Sequence, residues 1–241
     1  LVVGFKASED MGNGMTGFMH MELEHDDANE EVSGWTNDKS YVGLKGDFGQ
    51  VTLGRQADAA GFACGGTDIF TKVSGQACGA GAINGGLDNA LVYTGGTGNV
   101  TFVLGATLDG TQDQAGDNTI IAAKYAADNF SVGFQMTSFD IVRGGESQSV
   151  IGGTYTINEM QIGATLANDG NESATAIALK MPLAGGSFRI GMDTGEDAGV
   201  ADTTHVQFTK SLSKSVYTGV EFASVDGADD DMLAGWIGMK F

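Results

Sequence analysis

Proline is almost absent from this chain: there is 1 in 241 residues, against 39 glycines. Glycine is a poor residue for a helix interior, so a long helical fold is excluded. A glycine excess without proline or a three-residue period also excludes a collagen-like or low-complexity chain. Positive charge is scarce. Lys and Arg number 12 against 31 Asp and Glu, for a formal net charge of −19. A chain this acidic does not neutralise a phosphate backbone, which excludes nucleic acid as a partner. No run approaches the roughly 20 apolar residues of a membrane helix. A transmembrane barrel stays open, because its strands alternate lipid-facing and lumen-facing residues and give a weak hydropathy signal. His20, His25 and His205 are the 3 histidines. No Ser/His/Asp spacing around them supports hydrolysis, so the chain is expected not to be an enzyme.

What is present is period-2 alternation in segments of roughly ten residues. Val3, Phe5 and Ala7 alternate with Gly4, Lys6 and Ser8. Further candidate strands are 15–24, 40–46, 51–56, 88–95, 99–108, 118–127, 129–139, 149–157, 159–168, 173–182, 187–194, 203–211, 214–224 and 231–241. Tight turns rich in Asn, Asp and Gly, as at Asp128-Asn129 and Asn158-Glu159, alternate with longer polar loops such as 109–117 and 195–202. Short turns on one side and long loops on the other mark an all-β, antiparallel up-and-down transmembrane barrel, expected as a single domain over 1–241. The acids are one-sided. Glu22, Asp26, Glu30, Glu31, Asp38, Asp113, Glu146, Asp193, Glu196, Asp229 and Asp230 fall on the long-loop side. The final strand places Leu233, Ile237, Met239 and the terminal Phe241 on one face, as an aromatic girdle in a membrane requires.

Residues 4–14 (GFKASEDMGNG), residues 41–56 (YVGLKGDFGQVTLGRQ), residues 88–93 (DNALVY) and the terminal Phe241 resemble the general porins of Gram-negative bacteria. The resemblance implies a homotrimeric barrel of about 16 strands in the outer membrane, in contact with lipid and lipopolysaccharide. It implies passive diffusion of ions and small hydrophilic solutes, and a third extracellular loop folded inward as a constriction. About fifteen strands are visible here, and bacterial single-chain barrels have even numbers, so one more strand is expected before Leu1. The acidic-aromatic motif common in the family's inward loop is missing. A structural or adhesive barrel with a plugged lumen is the alternative.

The Gly/Ala-rich segment 57–87 matches the constriction loop by position, and loops this long are usually functional. It carries Asp58, Asp68 and Lys72. Strand parity sends Lys6, Lys45, Lys124, Lys180 and Arg189 into the lumen, because a Lys or Arg on the lipid face costs about 2–4 kcal/mol at the midplane. His205 points the same way beside Gln207. Arg55 shares parity with Val51 and Leu53; the resemblance favours it as a pore-wall arginine turned inward by a bulge. No cofactor is expected, beyond Ca²⁺ or Mg²⁺ held loosely by the acidic loops, which lack EF-hand spacing. Acidic rings favour cations and basic walls favour anions. The excess of acids predicts a modest cation preference at low salt that fades as salt rises.

Cys64 and Cys78 both lie in the long loop. A metal pair would need His or Cys partners, and the segment has none. A redox pair favours Cys-x-x-Cys, which is absent. An oxidising periplasm favours a disulfide, and closing about 15 residues stabilises by roughly 3 kcal/mol in the chain-entropy model. The prediction is that native, non-reduced protein offers no thiol to an alkylating reagent; two alkylated cysteines would refute it.

Overall fold

Branched and aromatic residues placed on every second position, with small or polar residues between, stabilise extended chain rather than helix. In a computed structural model, residues 2–25, 34–71, 87–108, 118–138, 147–168, 170–171, 173–195, 202–227 and 231–239 are described. Among them are the strands β1 (Val2–Gly12), β2 (Met15–His25), β3 (Trp35–Gly46), β4 (Gly49–Gln56), β5 (Leu87–Thr97), β6 (Val100–Thr107), β7 (Thr119–Ala126) and β8 (Phe130–Ser138). The second half adds β9 (Ser147–Ile157), β10 (Met160–Asn168), β11 (Ser173–Leu183), β12 (Gly186–Gly195), β13 (Thr203–Ser211), β14 (Val216–Val225) and β15 (Met232–Met239). One helical turn, α1 (Gly61–Cys64), follows β4. The strands form a 15-stranded sheet in chain order. Antiparallel registers run from Val2 opposite Glu24 to Val216 opposite Met239.

Tight turns hold these registers. Asn158 and Glu159 have φ of 47° and 69°, the paired positive values of the turn that matches the twist of a hairpin. Several strands run past their sequence limits, and β1 and β3 show why. β1 runs on to Gly12, whose N–H donates to Asp10 Oδ1 at 2.8 Å. β3 begins at Trp35, ahead of the expected Ser40. The polar run there is neutralised locally: Lys39 Nζ lies 2.5 Å from Glu22 and 2.8 Å from Asp38. A bulge between Glu22 and Leu23 absorbs the change of register.

The sheet has two unlike faces. On the outer face, Phe5, Val42, Leu53, Ile121, Ile162, Ile177 and Ile237 are all exposed. A soluble chain does not leave so continuous an apolar surface open to water. The inner face is polar, and Gln135, Thr165, His205, Gln207 and Glu221 on it are almost fully buried. Two groups of residues are compact in themselves, one built mainly on β1–β6 and the other on α1 and β9–β15.

In the second group, α1 and the residues after it cover the inner face. The N–H groups of Ala63 and Cys64 both donate to Ala60 O at 3.0 Å, which closes the helical turn. Ala60, Ala63 and Cys64 then bury against Val150, Ala167, Ala174 and Ala176 of β9, β10 and β11. Only small side chains let a loop backbone lie this close to a sheet. At Gly163 a Cβ would collide with the backbone of Gly66. Gly163 to Val is therefore expected to unseat the loop without unmaking the sheet. Overpacking of this kind costs about 1–3 kcal/mol, so hydrogen exchange at the amides of Cys64, Thr67 and Asp68 should accelerate roughly tenfold. Unchanged protection in the variant would show that the contact does not hold the loop.

Candidate functional site: an inward loop on a charged wall

The registers of β10 to β14 align residues from successive strands into level rows on the inner face. Gly163, Ala178, Gly191, His205 and Ala223 form one row. Gln161, Lys180, Arg189, Gln207 and Glu221 form the next, one step nearer the short turns. The loop rests on the first row and hydrogen-bonds to the second. Thr67 Oγ1 meets Thr165 Oγ1 at 2.7 Å. The Phe70 ring stacks on His205 with centroids 4.6 Å apart and planes 20° apart, in the space that Gly191 leaves by lacking a side chain. His205 is fully buried, and its Nε2 donates to Asp193 Oδ2 at 2.8 Å.

Glu221 ends the second row and has no exposed surface. A buried carboxylate is costly unless hydrogen bonds replace its water. Here Thr71 N–H donates to Oε2 at 3.0 Å and the Gln207 amide donates to the same oxygen at 2.5 Å. Gln207 in turn accepts from Arg189 Nη1. One continuous chain of donors and acceptors thus ties the loop backbone to the basic wall.

The bases expected inward take these places. Lys6 and Lys45 line a groove of about 330 Å³ together with His20, Tyr41 and Gln50, and Lys45 Nζ lies 5.8 Å from the Phe18 ring centroid. Lys124 Nζ is 6.0 Å from the Phe62 ring centroid of the loop. Lys180 lies directly opposite Arg189. Among the described residues none of these five bases has a carboxylate at ion-pair distance. Arg55 differs from the inward turn expected of it. The bulge near it puts its extra residue in β5, where Asn89 has φ 48°. Arg55 therefore keeps the outer parity of Leu53 and pairs with Asp88 at 2.5 Å, while Gln56 faces inward and accepts from Thr52 at 2.6 Å.

Asp58 is half-buried where the loop leaves β4, and Asp68 is exposed, its N–H bonded to Cys64 O at 2.9 Å. Asp193, expected as a mouth acid, is instead buried and held by His205. Cys64 is buried and disulfide-bonded. Lys72, Cys78, Phe241 and the acidic runs 26–31, 109–117, 140–146, 196–201 and 228–230 lie outside the described residues. Sequence reading missed Phe70 and Glu221. A lone Glu between Val220 and Phe222 did carry the parity of an inner-face residue, but its partner lies 150 residues away.

A profile of the Gram-negative porins matches residues 1–230. The major outer membrane protein P.IB of Neisseria meningitidis is 43% identical over 53 residues, which are 22% of this chain and 16% of that protein. P.IA of the same organism is 39% identical over 56 residues, 23% of this chain and 14% of its own length. The chain thus aligns with less than a fifth of the curated relatives it matches. Among solved structures, OmpF of Salmonella typhi superposes with a TM-score of 0.80 at 17% identity, covering 98% of this chain and 88% of that one. An anion-selective porin from Comamonas acidovorans gives 0.71 at 20% identity, covering 99% and 83%. These likenesses show the fold: an antiparallel transmembrane β-barrel, whose inner face is the lumen wall and whose apolar outer face meets lipid. The chain belongs to the Gram-negative porin family, proteins of the bacterial outer membrane.

Proposed function

We propose that the protein is a water-filled channel for passive diffusion of ions and small hydrophilic solutes, not an enzyme. One observation carries this reading. The loop after β4 is held against the lumen wall by Glu221 and His205, and it lies beside Lys124, which has no carboxylate at ion-pair distance among the described residues. Such an arrangement narrows a pore and charges it, while offering no nucleophile, general base and oxyanion donors in working order. The Cys64–Cys78 disulfide fits the reading as a brace on that loop. The homotrimer and the contact with lipopolysaccharide rest on likeness to the family.

The wall charges set ion preference. Lumen carboxylates such as Glu22, Asp193 and Glu221 are engaged by Lys39, His205 and the loop backbone. Among the described residues the five bases have no carboxylate at ion-pair distance, although Arg189 feels Glu221 through space. At low salt, the acidic loops concentrate cations over a Debye length of roughly 10 Å or more. Near molar salt that length shrinks to about 3 Å, and the charges in direct contact with the permeating ion decide. Planar-bilayer reversal potentials should accordingly show a modest cation preference at low salt and cross to anion preference near molar salt. Lys124 to Gln combined with Lys180 to Gln should shift the potential toward cations at every salt concentration. A preference that fades to zero without crossing would mean that the wall bases are too weak to matter. An absence of current from purified protein would overturn the channel in favour of a plugged barrel.

A further inference from the structure

Below the loop, toward the short turns, the lumen wall of β12 to β15 holds a recess of about 410 Å³. Ser187, Arg189, Thr209, Tyr217 and Trp236 line it, and Thr71 of the loop forms its upper margin. Two features set this recess apart from plain wall.

The first is aromatic. Trp236 lies opposite Gly219 in the register of β14 and β15. A Cβ on Gly219 would run into the six-membered ring of the indole. The indole therefore packs against Gly219 of β14, and Trp236 lines the recess. Tyr217 lies over Gly238 in the same way, one row further down. A flat aromatic face of this kind matches the C–H face of a sugar ring. The second feature is polar. Arg189 Nε and Ser187 Oγ are buried and have no hydrogen-bond partner among the described residues, although each such group is stabilised by one. Arg189 spends Nη1 on Gln207, a neutral partner. Glu221 directs Oε2 to Thr71 and Gln207, toward the loop. Lys180 beside Arg189, and Lys210 at the lower margin, add positive field.

We propose that this recess is a binding step for an anionic monosaccharide, a sugar ring carrying one carboxylate, on its way through the channel. The carboxylate pairs with Arg189, ring hydroxyls bond to Ser187 and Thr209, and the C–H face stacks on Trp236. A neutral sugar leaves the guanidinium unmatched, and inorganic phosphate leaves the indole unmatched. The proposal rests on the channel reading for its physiological sense, but its test does not.

The chain has 2 Trp, at positions 35 and 236, so Trp35 to Phe leaves Trp236 as the sole indole. The intact variant in detergent is titrated with galacturonate while tryptophan emission is followed. Galactose, benzoate and phosphate serve as comparators. Galacturonate should give a saturable change with half-saturation on the order of millimolar. Each comparator should need at least about tenfold more: galactose loses the charge-assisted contact, phosphate the stack, and benzoate the ring-hydroxyl bonds to Ser187 and Thr209. Arg189 to Gln should raise the galacturonate half-saturation at least about tenfold, and Ser187 to Ala, a milder change, about threefold. No saturable response, an equal response to galactose or benzoate, or a response that survives Arg189 to Gln would each overturn the site. Bilayer current through the same Trp35 to Phe protein separates the two readings. A conducting channel that gives no emission change loses the site alone. A protein that responds to galacturonate but carries no current loses the channel alone.

Discussion

Glu221 has no exposed surface, and its charge must be met by hydrogen bonds from within the fold. The position of the inward loop depends on that need. The backbone N–H of Thr71 also requires a partner once the loop is folded away from solvent. Each group meets the other's requirement, and neither is satisfied so well if the loop swings out. Gln207 extends the link to Arg189, so that the charge in the wall and the position of the loop are coupled. The stack of Phe70 on His205, with His205 fixed by Asp193, holds the adjoining row.

The strands were legible because alternation is a local signal. Val3, Phe5 and Ala7, or Ile177, Leu179 and Met181, announce their faces within a few residues. The same parity assigns Lys6, Lys45, Lys124, Lys180 and Arg189 to the inner face, and Lys124 comes within 6.0 Å of the Phe62 ring of the loop. The residues from Trp35 to Lys39 read as loop because they are polar; they become strand only when Glu22 on the neighbouring strand pairs with Lys39. Arg55 shows the same limit. Which strand takes the extra residue of a bulge depends on β5, far along the chain, and that choice kept Arg55 outward.

The loop was visible by its length and its glycines, but its seat was not. Gly163 and Gly191 look like weak points in strands when read locally. Their meaning emerges from register across β10 to β13, which sets Gly163, Ala178, Gly191 and His205 side by side. Glycine here is a matter of space: backbone or ring from the loop occupies what a side chain would fill. The same device lays Trp236 on Gly219 near the other end of the wall.

Because the rows are fixed by strand pairing, the height at which the pore can be narrowed is discrete. Inner-face residues recur every second position, a step of roughly 7 Å along a strand. A loop that docks on one row cannot drift by a fraction of that step. It can move only to another row that has small residues in the right columns. Lineages that share this wall would therefore differ in constriction depth by whole steps or not at all, and a gradual series of intermediates would be hard to build.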